Sequence, residues 1–313
     1  MRLAFAETLI NLAERDERIL LLTADLGYLV LDDFIRKFPG RFYNLGVAEQ
    51  NMIGVATGLA EAGFIPFVYS ISTFASLRPY EFIRNGPIRH HLPVRIVGVG
   101  GGFDYGVSGV THHGLEDIGV LRIQPRLALV VPADGPQTRN AILSTWNLPG
   151  PVYYRLGKDD RAVVPGLEGR FELGRAQSLG NGRDVLFVVV GSLAVDVVEA
   201  MEILSGQGIY SSMLVVSSFN PAPEADLIEA LLGKPQGFAK VFTVENHYIH
   251  GGVGSWVSEV IATQGITCRV VRCGIDQQPG GISGSPAYLN KLNGLSSSGL
   301  VTKVLSELNN RKG

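Results

Sequence analysis

The sequence predicts an α/β protein made of two doubly wound domains. Apolar runs suited to strands buried on both faces alternate with segments of helical periodicity, and this alternation occurs twice, on either side of a stretch rich in Gly, Pro and charge. Parallel strands need crossover connections, which helices usually supply. The 313 residues suffice for two domains of ordinary size. We expect domains at 1–165 and 184–313, joined by a linker at 166–183.

The first domain begins with apolar residues at helical spacing over 3–15, followed by a continuous apolar run at 18–23 that suits a buried strand. A turn follows at 25–27. Further strand-like runs lie at 65–68, 94–99, 127–131 and 152–154. Helical patterns separate them, so we expect a parallel sheet with helices on both faces.

The second domain repeats the alternation on a smaller scale. Strands are predicted at 185–190, 212–216, 241–244 and 267–271, and helices at 193–204, 224–232, 253–263 and about 298–308. No short internal repeat of the solenoid kind is present in the sequence.

Composition and charge argue against several classes of protein. A hydrophobic fraction of 46%, a charged fraction of 18% and a net charge of -2 indicate a compact protein without the overall field that recruits nucleic acid. No stretch approaches the roughly 18 uncharged apolar residues of a membrane span, and Glu7 interrupts the first apolar run. We expect a cytoplasmic protein with no nucleic-acid or membrane partner. Cys268 and Cys273 are interpreted as a reduced, structural pair.

One carboxylate, that of Glu49, is the main candidate for chemistry. Gly46 closes a short extended segment, and from Glu49 onward apolar residues recur at helical spacing to about Glu61. Glu49 therefore lies in the first turn of a helix, where the helix dipole favours a carboxylate that can point at a ligand. On this pattern alone, helix capping is the simpler interpretation.

Three motifs in register change that interpretation. They are Gly-Val-Ala-Glu-Gln-Asn-Met at 46–52, Tyr-Ser-Ile-Ser-Thr-Phe at 69–74 and Gly-Val-Thr-His-His-Gly-Leu-Glu-Asp at 109–117. Their order and spacing, together with the later domain, resemble the second half of transketolase and its relatives among thiamine-diphosphate enzymes. The resemblance runs from near residue 1 to near residue 310. It implies a thiamine-diphosphate pyrimidine-binding domain followed by a transketolase C-terminal-like domain.

The resemblance also implies roles for individual residues. Glu49 matches the family glutamate that hydrogen-bonds a nitrogen of the cofactor's pyrimidine ring and so activates the cofactor. Phe74 and Tyr80 match the aromatic residues that stack on that ring. Asp25 and Leu26 match an Ala-Asp-Leu loop near the thiazolium, although a turn or N-cap role suits Asp25 equally well.

The histidine motif is the second strong element of the resemblance. His112 matches the family histidine that contacts the donor's hydroxyl and the cofactor's amino group, and an imidazole can shuttle a proton near neutral pH. His113 is interpreted as structural. In the second domain, the segment 243–254 matches a C-terminal signature, and we expect His247 to lie near the domain interface with a structural role.

Several positions depart from the family pattern. The strand before the histidine loop leads into glycines at 100–102, where sugar-phosphate transketolases have Thr-His, so these glycines form a backbone anion nest or leave room for a bulkier substrate. Of the phosphate clamp, only Arg155 matches by position, and its planar fork suits phosphate, sulfonate or carboxylate. Leu77 replaces a third aromatic residue. Either Arg78 or Arg84 could meet an anionic substrate, but both are interpreted as solvated surface residues.

A missing motif predicts the assembly. Enzymes of this family hold the diphosphate through a metal ion, with Gly-Asp-Gly and an Asn some thirty residues later, and this sequence has no such segment. The resemblance therefore implies a split transketolase in which a second, N-terminal-type subunit holds the diphosphate and Mg²⁺ or a similar ion, with an α2β2 heterotetramer acting on a sugar or sugar derivative. We expect no metal ligands in this chain.

Three alternatives remain open at this point. The beta subunit of a 2-oxoacid dehydrogenase shares both domains, although the motif at 111–117 fits transketolase better. A deoxyxylulose-phosphate-synthase-like carboligase would release carbon dioxide. A non-catalytic binding chain on the same fold is the third, and the retention of the site residues in register argues against it. In the assembled complex, transketolase chemistry requires that the Glu49 carboxylate faces the pyrimidine and not solvent, and that the groove beside it is not filled by the protein's own side chains.

Overall fold

A computed structural model of the chain describes residues 1–233 and 237–309, so the predicted domain end at 313 lies outside the described residues. The strands in these ranges are β1 (Ile19–Thr23), β2 (Phe42–Asn44), β3 (Ile65–Ile71), β4 (Arg95–Val99), β5 (Ala128–Val130), β6 (Val152–Leu156), β7 (Gln177–Leu179), β8 (Val185–Val190), β9 (Ser211–Val216), β10 (Ser218–Phe219), β11 (Lys240–Tyr248) and β12 (Arg269–Ile275).

The α-helices in the same ranges are α1 (Arg2–Ala13), α2 (Asp32–Lys37), α3 (Glu49–Glu61), α4 (Ser72–Ser76), α5 (Tyr80–Ile83), α6 (Asp117–Leu121), α7 (Gly135–Thr145), α8 (Ala194–Ser205), α9 (Glu224–Leu232), α10 (Val253–Thr263), α11 (Pro286–Leu292) and α12 (Ser297–Asn309). None of these helices is long and apolar enough to span a membrane.

Two sheets confirm the predicted α/β fold class. The first has the strand order β10-β5-β6-β4-β3-β1-β2, and the second has the order β12-β11-β8-β9-β7. Neighbouring strands pair in parallel except at two edges, where β10 pairs with β5 and β7 pairs with β9 in antiparallel fashion. The reordered strands of both sheets are typical of doubly wound domains.

Both faces of the first sheet are covered, which explains its continuous apolar runs. Alternate residues of β1 enter different hydrophobic clusters: Leu20 and Leu22 belong to one, and Ile19 and Leu21 to the other. The first of these clusters also contains Leu186 from β8, together with residues of β9 and α10. The two sheets therefore share an apolar core, which joins the domains over a broad surface.

Short edge strands correct the predicted linker. The prediction places residues 166–183 between the domains, but β7 lies inside that range and pairs with β9 of the second sheet. β10 is not predicted either, and it crosses from the second domain to the edge of the first sheet through Ser218 and Phe219. β7 and β10 form no apolar run that periodicity can detect, because each depends on the backbone of a neighbour distant in sequence.

Both cysteines are free. Burial raises the pKa of the Cys273 thiol to about 12 and that of the half-buried Cys268 thiol to about 11. Neither thiol therefore ionises readily near neutral pH, in agreement with structural roles.

Candidate functional site

The candidate residues gather at one edge of the first sheet, where its parallel strands end. Glu49 follows β2, Phe74 follows β3 and His112 lies in the connection after β4. In open α/β sheets, ligands bind outside the carboxyl ends of the strands. The topology therefore brings together motifs that are far apart in the sequence.

Glu49 is the first residue of α3 and is almost completely buried, with 2% of its surface exposed. Its carboxylate makes no cap to the helix; instead, Ser70 Oγ donates to Oε1 at 3.2 Å. Arg78 Nη1 donates to Oε1 at 3.1 Å and to Oε2 at 3.0 Å. The capping interpretation is therefore wrong, and the acid is directed across the sheet edge toward α4.

Arg78 places a flat cation between Glu49 and Phe74. The Arg78 guanidinium carbon lies 3.7 Å from the centroid of the Phe74 ring, which is a stacked cation–π contact. The interpretation of Arg78 as a solvated surface residue is wrong for its guanidinium, which contacts Phe74 through its face and Glu49 through its edge. The carboxylate consequently faces a planar, nitrogen-bearing group stacked on an aromatic ring.

His112 completes the same cluster from the loop after β4. Its ring meets the edge of Phe74 at a centroid distance of 5.1 Å and lies 6.4 Å from the ring of Tyr105. The Nδ1 atom is hydrogen-bonded to Thr111 Oγ1 at 2.9 Å. Among the hydrogen bonds of the described residues, Nε2 has no partner. The imidazole is thus oriented through one nitrogen, and the other can meet a ligand.

Asp25 and Leu26 lie in the turn after β1, next to the segment that leads into Glu49. Asp25 adopts a left-handed backbone conformation with φ of 58°, and its carboxylate accepts from Asn44 Nδ2 at 3.0 Å. Asn44 Oδ1 in turn accepts from the backbone N–H groups of Asp25 and Gly46. These contacts show the turn role for Asp25, and the cofactor contact assigned to this loop stays a prediction.

Tyr80 is held by a different partner from the rest of the cluster. Its hydroxyl accepts a hydrogen bond from Gln124 Nε2 at 2.6 Å, and its half-buried ring packs against the core. No aromatic contact joins Tyr80 to Phe74 among residues 1–233 and 237–309. Stacking of Tyr80 and Phe74 on a pyrimidine therefore stays a prediction.

Arg155, the residue predicted for the phosphate clamp, binds groups inside the protein. Its side chain is 6% exposed and its Nε donates to both oxygens of the fully buried Asp117, at 3.1 and 2.8 Å. One terminal nitrogen donates to the carbonyls of Gly114 and Asn246. With these donors used inside the protein, Arg155 joins the two domains, and its predicted contact with a substrate anion stays a prediction.

The glycines at 100–102 are explained by the same packing. A Cβ at Gly101 would lie 2.5 Å from the guanidinium carbon of Arg155, and one at Gly102 would lie 2.1 Å from the amide carbon of Asn246. The N–H groups of Gly100 and Gly102 donate to backbone carbonyls. Neither predicted role, an anion nest or room for a bulky substrate, fits this segment, because its backbone is closely packed against other parts of the protein.

Lys158 is a cation that the sequence interpretation missed. It follows β6 by two residues, and its Nζ lies 4.0 Å from the centroid of the Tyr105 ring, which itself borders His112. Burial and the nearby Arg2 lower the pKa of Lys158. Its Nζ has no carboxylate within salt-bridge distance among the described residues. The position after a strand end is the sequence signal that could have identified it.

His247 confirms the prediction that it lies near the domain interface. Its side chain is 1% exposed, and its Nε2 accepts from the backbone N–H of Gly119 in α6 of the first domain at 3.1 Å. Burial lowers the pKa of His247, which keeps the imidazole neutral and able to accept this hydrogen bond.

Comparison with known proteins gives a consistent result across the chain. The sequence matches the family models for the transketolase pyrimidine-binding domain over residues 1–161 and the transketolase C-terminal domain over residues 174–300. It is 36% identical to a putative transketolase C-terminal section of Methanocaldococcus jannaschii, with 98% of this chain and 96% of that protein covered.

Other relatives carry more specific descriptions. A subunit of the apulose-4-phosphate transketolase of Phocaeicola vulgatus is 34% identical, with 86% of each chain covered. A 6-deoxy-6-sulfo-D-fructose transketolase subunit of a Clostridium species is 34% identical over 100% of this chain and 95% of its own. A 1-deoxy-D-xylulose-5-phosphate synthase of Desulfitobacterium hafniense is 32% identical over 98% of this chain and 49% of its own.

A solved structure has nearly the same fold over its whole length. It is described as a split gene transketolase, inactive beta4 tetramer, and it superposes with a TM-score of 0.87 and 34% identity, covering 98% of both chains.

Proposed function

The chain belongs to the transketolase family, and from that premise we propose that it is the subunit of a split transketolase that presents Glu49 to thiamine diphosphate. The assembled enzyme would transfer a two-carbon ketol unit from a ketose to an aldehyde. The observation that carries the proposal is the buried Glu49 carboxylate, which meets a planar nitrogen-bearing group stacked on Phe74.

The side chains around Glu49 fit the pyrimidine end of this cofactor. An aminopyrimidine offers a ring nitrogen for a carboxylate and a flat face for an aromatic ring, and Glu49 and Phe74 supply both. The guanidinium of Arg78, which stacks on Phe74 in this place, supports the idea that a flat group can be accommodated there. Thiamine diphosphate, when bound, supplies a thiazolium carbon that can attack the carbonyl of a ketose.

Each residue of the cluster would then contribute a simple physical function. Glu49 holds or accepts a proton at the pyrimidine nitrogen, inside a site poor in water. Phe74 fixes the tilt of the ring. His112 donates from Nε2 to a hydroxyl or a developing negative charge on the substrate, while Thr111 orients its ring through Nδ1.

A second polypeptide is part of the proposal. The sequence has no Gly-Asp-Gly segment with a following Asn that would hold a metal-bound diphosphate. The related structure described as an inactive beta4 tetramer supports the idea that this kind of chain needs a partner for activity. We propose an α2β2 heterotetramer in which the partner binds the diphosphate through Mg²⁺ or a similar ion.

The proposal is tested by mixing the two subunits. The chain would be combined with a candidate partner that carries Gly-Asp-Gly, and binding of thiamine diphosphate with Mg²⁺ would be measured by calorimetry alongside ketol transfer. Binding and turnover are expected in the mixture and in neither chain alone. Tight cofactor binding and turnover by this chain alone would contradict the two-subunit assembly.

Lys158 is proposed to hold the anionic end of the sugar. Two relatives are described as acting on a phosphorylated and a sulfonated sugar, and Lys158 provides a cation beside Tyr105 and His112 at the open edge of the sheet. A charge-assisted hydrogen bond contributes about 1.5–3 kcal/mol, which corresponds to roughly 10–100-fold in binding.

Lys158→Ala is therefore expected to raise the KM of an anionic ketose by about 10–100-fold while leaving kcat and the KM of an uncharged ketose nearly unchanged. Steady-state kinetics of the assembled enzyme would measure both substrates. Lys291→Ala, at an exposed position of α11, is the control. Equal losses for charged and uncharged sugars would contradict the assignment.

A carboligase is the second candidate, favoured by the 32% identity to a 1-deoxy-D-xylulose-5-phosphate synthase. It would join a fragment from a 2-oxoacid to an aldehyde. Release of carbon dioxide from pyruvate would identify that reaction, whereas ketol transfer from a ketose releases none.

A further inference from the structure

We propose that Arg78 occupies the pyrimidine slot of the free subunit and must leave it when the cofactor binds. This inference rests on the proposed function of Glu49. It concerns a residue that the proposed chemistry does not use. Arg78 would be a displaceable substitute for the cofactor's ring, so that the slot stays closed until the cofactor binds and displaces the guanidinium.

The contacts of Arg78 are those that the cofactor's ring would need. Its Nη1 donates to both oxygens of Glu49, at 3.1 and 3.0 Å, and its guanidinium carbon lies 3.7 Å from the Phe74 ring centroid. A guanidinium is planar and presents N–H groups along its edge, as an aminopyrimidine does once its ring nitrogen is protonated. Two flat groups cannot lie on the same face of Phe74 and reach the same carboxylate, so binding of one excludes the other.

The burial of the Glu49 carboxylate explains why the free subunit needs Arg78 in place of the cofactor's ring. Glu49 is 2% exposed, and apart from Arg78 its carboxylate accepts only from Ser70 among the described residues. An ionised carboxylate buried without a positive partner is strongly unfavourable. Arg78 compensates that charge while no cofactor is present.

The two partners differ in their freedom to move. Glu49 is fixed within the first turn of α3, whereas the Arg78 side chain is 41% exposed and lies in the short connection between α4 and α5. The arginine can therefore swing into solvent without disturbing the core. When the binding-competent state is only partly populated, the apparent affinity falls by that fraction, and removal of Arg78 should eliminate this loss.

The decisive experiment compares Arg78→Ala with Arg84→Ala, a control arginine whose exposed side chain pairs with Glu81. Calorimetry of the assembled enzyme should show thiamine diphosphate with Mg²⁺ bound about tenfold more tightly by Arg78→Ala. The melting temperature of the free Arg78→Ala subunit should fall by roughly 5 °C. Arg84→Ala should change neither value appreciably.

Arg78→Ala should raise the affinity for the cofactor and lower the melting temperature of the free subunit, and this combination identifies Arg78 as a displaceable substitute for the ring. A purely structural arginine would lose stability and cofactor affinity together, and a substrate-binding arginine would raise the KM of the ketose without tightening cofactor binding. Either result would overturn the inference. Absence of any cofactor binding by the unmodified complex would instead refute the proposed function itself, so the two failures are distinguishable.

A second variant and a structure cover the case in which Arg78→Ala does not fold. Arg78→Lys keeps the charge but loses the flat stacked group, and it should retain most of the stability while binding the cofactor more tightly than the unmodified chain. A crystal structure of the unmodified complex with thiamine diphosphate should show Arg78 displaced from Phe74. An Arg78 still stacked on Phe74 and bonded to Glu49 in that complex would overturn the inference.

Discussion

Glu49→Gln is expected to lower kcat of the assembled enzyme by about 10²–10⁴-fold, the range typical of a lost general acid or base. The amide is nearly isosteric with the carboxyl group, and its single oxygen can still accept from Ser70. It cannot take up or release a proton at the pyrimidine nitrogen. Assembly with the partner should therefore persist while turnover is largely lost.

The control for this substitution lies on the same helix. Glu61→Gln changes an exposed acid at the last residue of α3 and should leave kcat unchanged. Subunit association would be followed by analytical ultracentrifugation and turnover by a ketol-transfer assay. Full activity of the Glu49→Gln complex would refute the assignment of this carboxylate.

The elements that can be predicted from the sequence are those whose burial leaves a continuous or periodic pattern. The strand Val185–Val190 has the bounds predicted for it, because a strand covered on both faces must be apolar throughout. The helix from Glu49 to Glu61 is also predicted correctly, since its buried side shows helical spacing. Such signals are local, so no knowledge of the neighbouring elements is needed.

Elements that depend on distant backbone are not predictable in this way. β7 and β10 are each defined by antiparallel pairing with a strand elsewhere in the chain, and neither contains enough residues for a pattern. The predicted position of the linker is wrong for this reason. Recognising β10 would require knowing that the chain returns to the first sheet after β9.

In the site, as in the fold, the sequence predicts what local motifs specify and not the contacts between residues that are distant in the chain. The order and spacing of the three motifs predict that Glu49, Phe74 and His112 lie at one sheet edge. Each follows a parallel strand, and the carboxyl ends of parallel strands meet at the same edge. The motifs cannot reveal that Arg78 reaches Glu49 across 29 residues, since nothing in the spacing specifies that contact. They also cannot reveal that Arg155, within β6, binds Asp117 inside the protein, or that Lys158 lies beyond the strand end.

Arg155→Met is expected to reduce the free energy of unfolding by about 3–5 kcal/mol, since it leaves a buried carboxylate without its positive partner. The Asp117 side chain is 0% exposed and, among the described residues, would retain only the hydrogen bond from Tyr153 Oη at 2.8 Å. The carbonyls of Gly114 and Asn246 would lose a donor as well. Because these groups come from both domains, the substitution should weaken the contact between them.

An exposed ion pair provides the comparison that isolates burial as the cause. Arg175 pairs with Asp226 at 2.8 Å, but the arginine is 56% exposed, so Arg175→Met should cost only about 0–1 kcal/mol. The double variant Arg155→Met/Asp117→Asn should recover part of the loss, because no uncompensated charge then remains. Urea unfolding of the free subunit would measure all three variants. If Arg155→Met were no more destabilising than Arg175→Met, the buried pair would not hold the domains together, and a ligand-binding role for Arg155 would have to be reconsidered.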